Sequence, residues 1–438
     1  MNLKLNYKKT NLLGSGLIGV SFMLLVYNSY VPIFLQAGNP AFDQAVQGAV
    51  TVGFGLSAGL TGLIMTLDNI AALFIQPVIG AISDKTRTPI GRRMPYILAA
   101  TPIAVVSFAL IPVAVNQIPA ELSGQTAELV SQLAFFMVAV GVLLLAMAAF
   151  RTPVIALMPD ITPSPLRSKA NGVINLMGGI GALLATFGGA ALYGMGKVAP
   201  FWAGSILMVI AALIVFVSIK EPKEYTEDSK EDERWWDTLK KAGAIPREER
   251  KSLVLLLLAI FSWFVGFNTI ETFFTSYGTF RLGVAESTAS LLLGFFSLTF
   301  ILFSIPGGML AERWGRRRTI LTGLASLSVL LMLASFLPSL YAIAAILFLG
   351  GVAWALININ SLPMVVDIAP DDRLLGTYTG LYYISATLAA IAGPILNGWI
   401  IDLSGMNYNM IFYVAPAFML VAIGCMWFVT RGEARTAG

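Results

Sequence analysis

The chain has 438 residues, 57% of them hydrophobic and only 12% charged, against roughly 25% charged in an ordinary soluble chain. Its apolar residues run unbroken for about 20 at a time, enough to cross a hydrocarbon core ~30 Å thick. That excludes a soluble enzyme, a nucleic-acid-binding domain, a disulfide-stapled secreted domain and a barrel with period-two alternation.

Missing residue types narrow the chemistry. There is no histidine, and the single cysteine is Cys425. A Ser-His-Asp triad, a Cys-His dyad, a His-Cys zinc site and histidine-ligated haem all lack their parts. No metal or other cofactor is expected, and no enzyme activity.

Twelve membrane helices are predicted, near 12–36, 57–82, 95–115, 129–158, 170–196, 200–219, 252–280, 287–311, 319–337, 340–366, 377–401 and 408–430. Of the 28 Lys and Arg, only Lys197 and Arg281 fall on one side of this arrangement, and all the others fall on the opposite side. Positive charge stays in the cytoplasm, so both termini are expected there, in a multi-pass protein of the plasma membrane. The small net charge of +4 then reflects topology rather than an acidic partner.

Span one reads as a membrane helix rather than a cleaved signal peptide, because it is too long and no small-residue cleavage site follows. It carries Tyr27-Asn28-Ser29 and Tyr30. Span two carries Asp68, ~22 Å along the helix from the loop at Ser83. After span two come Gly80, Asp84-Lys85 and Gly91-Arg92-Arg93. Span four carries Arg151, ~13 Å from the basic face, and ends at Asp160-Ile-Thr-Pro163. The glycines of span five, Gly178-Gly179-Ile-Gly181 and Gly188-Gly189, read as a close-packing face. Its expected partner is span eight. The segment 220–251, with ten acids and nine bases, reads as a linker and in part a surface helix anchored by Trp235-Trp236. About 30 mostly charged residues cannot bury a core of their own.

The second half repeats the first. Span seven carries Phe267-Asn268-Thr269 and, ~30 Å from Lys251, Glu271. The loop after span eight reads Gly308, Glu312-Arg313, Gly315-Arg316-Arg317, and span ten ends at Asp367-Ile-Ala-Pro370. Three matches in one order, each at the same span of its half, make the halves parallel repeats. The domains are therefore 1–219 and 252–438, two pseudo-symmetric six-helix bundles of an all-α membrane protein, joined by 220–251.

In each loop an acid can cap a helix N-terminus while pairing with arginine. Asp84, Arg92, Arg93 and Asp160, with Glu312, Arg316, Arg317 and Asp367, are thus candidates for a clasp that holds one conformation and breaks in another. The alternative is that the arginines only enforce topology.

These loops resemble the signature of the major facilitator superfamily, whose fold is two six-helix bundles. The longer first copy, Asp84-Lys-Thr-Arg-Thr-Pro-Ile-Gly-Arg-Arg93, together with Arg151-Thr-Pro153 and Leu157-Met-Pro-Asp160-Ile-Thr-Pro163, is more particular. It resembles the glycoside–pentoside–hexuronide cation symporters, with relatives of the sucrose:proton symporter type. The resemblance implies uptake of a sugar or glycoside with a cation, by alternating access.

An ionisable group in mid-membrane costs roughly 2.5–3.5 kcal/mol on insertion scales, so each asks for a reason. Glu271 and Asp68 are candidate proton carriers or sugar ligands. Asn28 and Asn268 lie at neighbouring depths, and Asn268 shares a helix face with Glu271. Such amides and carboxyls could meet sugar hydroxyls, which need donors and acceptors. Arg151, supported in this role by the resemblance, and its repeat counterpart Asn358 are further candidates. Trp354, Tyr378, Tyr382, Tyr27 and Tyr30 could stack on a pyranose face, although most membrane aromatics only pack or anchor. Asp402, at the end of span eleven, reads as interfacial.

The better-known sodium-coupled members carry paired acids on span two before the loop motif. Here Ala72 and Gln76 occupy those places, which favours a proton over sodium. An exporter of drugs or metabolites on the same fold is the alternative reading. The expected partners are a small sugar, a proton and the bilayer, with no nucleic acid, and the expected working unit is a monomer.

Overall fold

The computed structural model describes residues 5–40, 52–162, 166–221, 247–369 and 375–433. Among these, twelve helices are long and apolar enough to cross a membrane. In chain order they are Tyr7–Gln36, Ala58–Lys85, Met94–Asn116, Val130–Ile161, Ala170–Met195, Ala199–Ser218, Arg250–Phe280, Glu286–Trp314, Arg316–Phe336, Leu340–Val366, Thr377–Leu403 and Tyr408–Trp427, and they are named spans one to twelve. Most of the expected linker, with Trp235 and Trp236, lies outside the described residues, as do Pro163 and Pro370.

Helix is the forced choice in hydrocarbon, where every main-chain N–H and C=O must find a partner within its own segment. Prolines inside spans one, three, four and twelve are carried because neighbouring helices support the turns they weaken. Polar caps close the ends where chemistry allows. Asn6 Oδ1 accepts from Lys9 N at 3.0 Å before span one, and Ser339 Oγ accepts from Ala342 N at 3.2 Å before span ten.

The described chain forms two units. In the first, span one packs on spans five and six, span three on four and six, and the inner part of span two on span four. In the second, span seven packs on eleven and twelve, nine on ten and twelve, and eight on ten. Each pairing of one unit recurs in the other six spans later, as parallel repeats require.

Span two departs from the expected single rod. It is two helices, Ala58–Met65 and Leu67–Lys85, meeting at Thr66. The first piece, within residues 57–66, groups with the second unit and packs on span eleven, while the second piece belongs to the first unit.

The glycine face of span five also finds a different partner. A Cβ on Gly178 would lie 3.3 Å from Ser21 Oγ, and one on Gly189 would lie 3.4 Å from Val26 Cγ2. Gly181 sits against the main chain of Ile18. These glycines pack on span one, inside the same unit, because small residues let two main chains touch where a larger side chain would hold them apart. A π-helical turn, Leu184–Gly189, interrupts span five beside this contact.

Candidate substrate and coupling site

The loop arginines of the first unit are ion-paired. Arg92 and Arg93 both pair with Asp160, the Nε atoms of each lying 3.2 Å from Oδ2, and Arg93 also pairs with Asp84. Arg93 is buried and donates further to Ser83 Oγ. Spans two, three and four are thereby tied at the basic face. Charge-assisted, two-pronged contacts of this kind are the strong ones.

The second copy is thinner. Arg316 pairs with Asp367, tying span nine to span ten. Glu312, expected to match Asp84, is exposed and makes no ion pair among the described residues. Arg317 turns to the end of span twelve instead, its Nε donating to the Met426 carbonyl at 3.1 Å. Arg317 lies in the first turn of span nine, which starts directly after Gly315.

Helix capping, which the sequence assigned to the motif acids, falls to two others. Glu221, just past span six, accepts from the N–H groups of Arg92 at 2.8 Å, Arg93 at 3.1 Å and Met94 at 2.8 Å. Glu433, just past span twelve, accepts from Arg316 at 2.7 Å and Arg317 at 3.0 Å. Each carboxylate sits on the positive end of a helix whose first N–H groups have no partner inside it. Sequence reasoning missed both, although each is the acid that follows the last span of its half, a signal that the repeat alignment could have exposed.

In the membrane-spanning part of the first unit, Asp68 opens the second piece of span two. Its Oδ1 accepts from Asn69 N at 2.6 Å and Asn69 Nδ2 at 2.8 Å. It lies within electrostatic reach of Arg151 on span four and of Tyr27 on span one. Asp68, Arg151 and Tyr27 thus interact at range; Arg151 is exposed, and Asn28, next to Tyr27 in sequence, is half-buried. Tyr27 itself is fully buried, and its hydroxyl has no hydrogen-bond partner among the described residues. Asn69 was overlooked in the sequence. Thr66-Leu67-Asp68-Asn69 has the composition of a helix start inside an apolar run, which is the signal that marks it.

In the second unit, Glu271 and Asn268 are both half-buried on span seven, and Asn268 Nδ2 bonds back to the Phe264 carbonyl at 2.7 Å. Asn358 is half-buried on span ten. The aromatics are more enclosed than stacking on a sugar would need. Trp354 is 3% exposed, with Phe267 parallel to it at 4.4 Å and Phe264 edge-on at 5.6 Å. Tyr382 bonds through its hydroxyl to Ser361 Oγ at 3.1 Å, and Tyr378 is fully buried. In the first unit Tyr30 is stacked on Tyr193 with centroids 3.9 Å apart. These rings pack spans together. Asp402, expected to be merely interfacial, accepts from the N–H groups of Ala58 and Gly59 at 2.8 Å each.

Comparison with known proteins agrees with this architecture. The family model described as MFS/sugar transport protein matches residues 12–428. Among curated relatives, the uncharacterised MFS-type transporter YfkF of Bacillus subtilis is 29% identical over 27% of this chain and 30% of its own length. Multidrug resistance protein 2 of the same organism is 23% identical over 63% of this chain and 68% of its own. The isoprimeverose transporter of Lactiplantibacillus pentosus is 25% identical over 62% and 55%. The chain spans 30% and 39% of the length of the first two curated relatives it matches.

Solved structures agree in fold. A bacterial homologue of the human lysosomal transporter Spinster superposes with a TM-score of 0.72 over 99% of this chain and 100% of that one, at 15% identity. A D-xylose-proton symporter superposes with a TM-score of 0.63 over 98% and 99%, at 14% identity. With twelve apolar helices and a family match over nearly its whole length, the chain belongs to the MFS/sugar transport protein family, of the major facilitator superfamily, and is a multi-pass membrane protein.

Proposed function

We propose that the chain takes up a sugar or glycoside together with a proton, by alternating access, as a member of the glycoside–pentoside–hexuronide branch. The working halves are 1–219 and 252–438, with 220–251 between them, both termini in the cytoplasm of a plasma-membrane monomer. The observation that carries the coupling is the grouping of Asp68 with Asn69, Arg151 and Tyr27 in the membrane-spanning part of the first unit. A carboxyl there carries a negative charge when ionised and none when protonated, so one proton changes the net charge beside Arg151. Glu271, half-buried on span seven, is proposed as the second proton group. Asn28, Asn268, Arg151 and Asn358 are proposed to meet sugar hydroxyls, and Tyr27, Trp354, Tyr378 and Tyr382 to back the site as packed walls. The clasp of Asp84, Arg92, Arg93 and Asp160, with Arg316 and Asp367, would hold the basic face closed in one half of the cycle.

The absence of paired acids at Ala72 and Gln76 favours a proton over sodium, because sodium needs several hard oxygens in one place. Similarity to the isoprimeverose transporter supports a sugar. Similarity to multidrug resistance protein 2 supports the rival reading, an exporter of apolar compounds. Purified protein in liposomes separates them. Counterflow of a labelled disaccharide, and its accumulation after a pH jump in sodium-free buffer, are the expected results. Uptake that requires sodium refutes the proton, and dye efflux without disaccharide counterflow refutes the sugar. Glu271→Gln and Asp68→Asn should abolish proton-driven accumulation and spare exchange, and unchanged accumulation in both variants would refute the coupling role.

A further inference from the structure

The first piece of span two, Ala58–Met65, has its own ends. At Thr66 (φ −87°, ψ −8°) the main chain tightens, its N–H donating to the Leu63 carbonyl at 3.2 Å and its hydroxyl to the same carbonyl at 2.7 Å, and a second helix segment starts at Leu67. The piece groups with the second unit and its continuation with the first, so the division between units falls on this joint.

At the other end, every early N–H group is matched. Ala58 and Gly59 donate to the two carboxylate oxygens of Asp402, each at 2.8 Å. Leu60 donates to Ser57 Oγ at 3.3 Å and Thr61 to the Ser57 carbonyl at 3.0 Å. Asp402 belongs to the last turn of span eleven, Thr377–Leu403. Its charge meets the positive end of the short helix, and it grips main chain rather than a side chain.

The seam between them leaves no spare room. A Cβ on Gly59 would lie 2.7 Å from Asp402 Oδ2 and 3.4 Å from Trp399 Cδ2. A Cβ on Gly398 would lie 2.9 Å from the Ala58 carbonyl carbon, and one on Gly62 would lie 2.8 Å from that of Pro394. Ala58 and Thr61 are fully buried in this seam. Docked, the N–H groups of Ala58 and Gly59 are cut off from water and depend on Asp402. Undocked, water would serve them. The carboxylate therefore favours the docked arrangement alone.

We propose that Ala58–Met65 is a strap on the face opposite the basic loops, latched to span eleven by Asp402 and swinging at Thr66 when that face opens. This rests on the chain being a transporter of its family, and on neither the sugar nor the proton reading. The assay uses the full chain with Cys425→Ser and Thr61→Cys, labelled in intact cells by a membrane-impermeant maleimide. Labelling should be slow with Asp402 present and on the order of tenfold faster in Asp402→Ala, the loss of two charge-assisted hydrogen bonds. Asp402→Asn, which keeps an acceptor oxygen without the charge, should fall between and serves where the alanine variant fails to insert. A disulfide between Gly59→Cys and Trp399→Cys should stop counterflow of any transported substrate until reduced. Parental labelling rates in the Asp402 variants overturn the latch, and counterflow that persists through the formed disulfide overturns the swing.

Discussion

Glu221 lies outside the spans and caps the start of span three, so Glu221→Ala isolates one helix cap. The carboxylate receives three main-chain N–H groups, from Arg92, Arg93 and Met94, at the start of span three. Three charge-assisted bonds in a dry interior would each count for about 1.5–3 kcal/mol. Glu221 is half-exposed, however, and water takes over when it leaves. The cap value of about 0.5–2 kcal/mol, with 0.3–1 kcal/mol from the helix dipole, is the better guide, and about 2 kcal/mol follows. That corresponds to roughly 30-fold more frequent opening of the first turn. Hydrogen exchange reads it at Tyr96 and Ile97, whose N–H groups both donate to the Arg93 carbonyl. Exchange there should accelerate by tenfold to thirtyfold, while Thr319 N–H, bonded to the Gly315 carbonyl in span nine, keeps its rate. Glu433→Ala should give the mirror result. Unchanged exchange at Tyr96 and Ile97, or equal acceleration in both spans, would refute the local-cap reasoning.

The remaining expectations concern the same physics elsewhere. Asp160→Asn strips a shared partner from two arginines, one of them buried, and should cost about 3–5 kcal/mol less whatever Asp84 retains. Asp367→Asn, at a pair whose side chains are 21% and 31% exposed, should cost under about 1 kcal/mol. Equal thermal destabilisation of the two detergent-purified variants would contradict this ranking. Asn397 is fully buried with neither amide atom hydrogen-bonded among the described residues, so Asn397→Leu should leave the melting temperature unchanged or raise it. A lowered melting temperature would mean that the amide has a partner the geometry does not reveal. Gly91, at φ +117° against the Glu221 carboxylate, should not tolerate alanine, and Gly91→Ala should lower the melting temperature more than Gly141→Ala, whose added Cβ meets nothing within 4 Å.

Much of the architecture was legible from the chain alone. Helix existence in a bilayer depends on the length of an apolar run and on main-chain self-satisfaction, both local properties, so the twelve spans could be read directly. The repeat was legible because like positions carry like residues. Asp160 with Asp367 and Arg92 with Arg316 do make equivalent ion pairs in the two units. Asp68 stood out because a lone acid in hydrocarbon is costly wherever it occurs.

Tertiary structure alone decided the rest. Glu221 reaches Arg92 across 129 residues and Glu433 reaches Arg316 across 117. Their acceptors are main-chain N–H groups, which every sequence position offers alike, so no side-chain pattern announces such a cap. Phe267 stacks on Trp354, and Phe264 meets Trp354 and Tyr382 edge-on, contacts that no sequence spacing announces. The break at Thr66 carries no proline or glycine to mark it; it exists where the two pieces of one apolar run find their packing partners in different units. Composition sets how much of a chain leaves water. Which helix end meets which carboxylate is settled only when distant segments compete for the same contact.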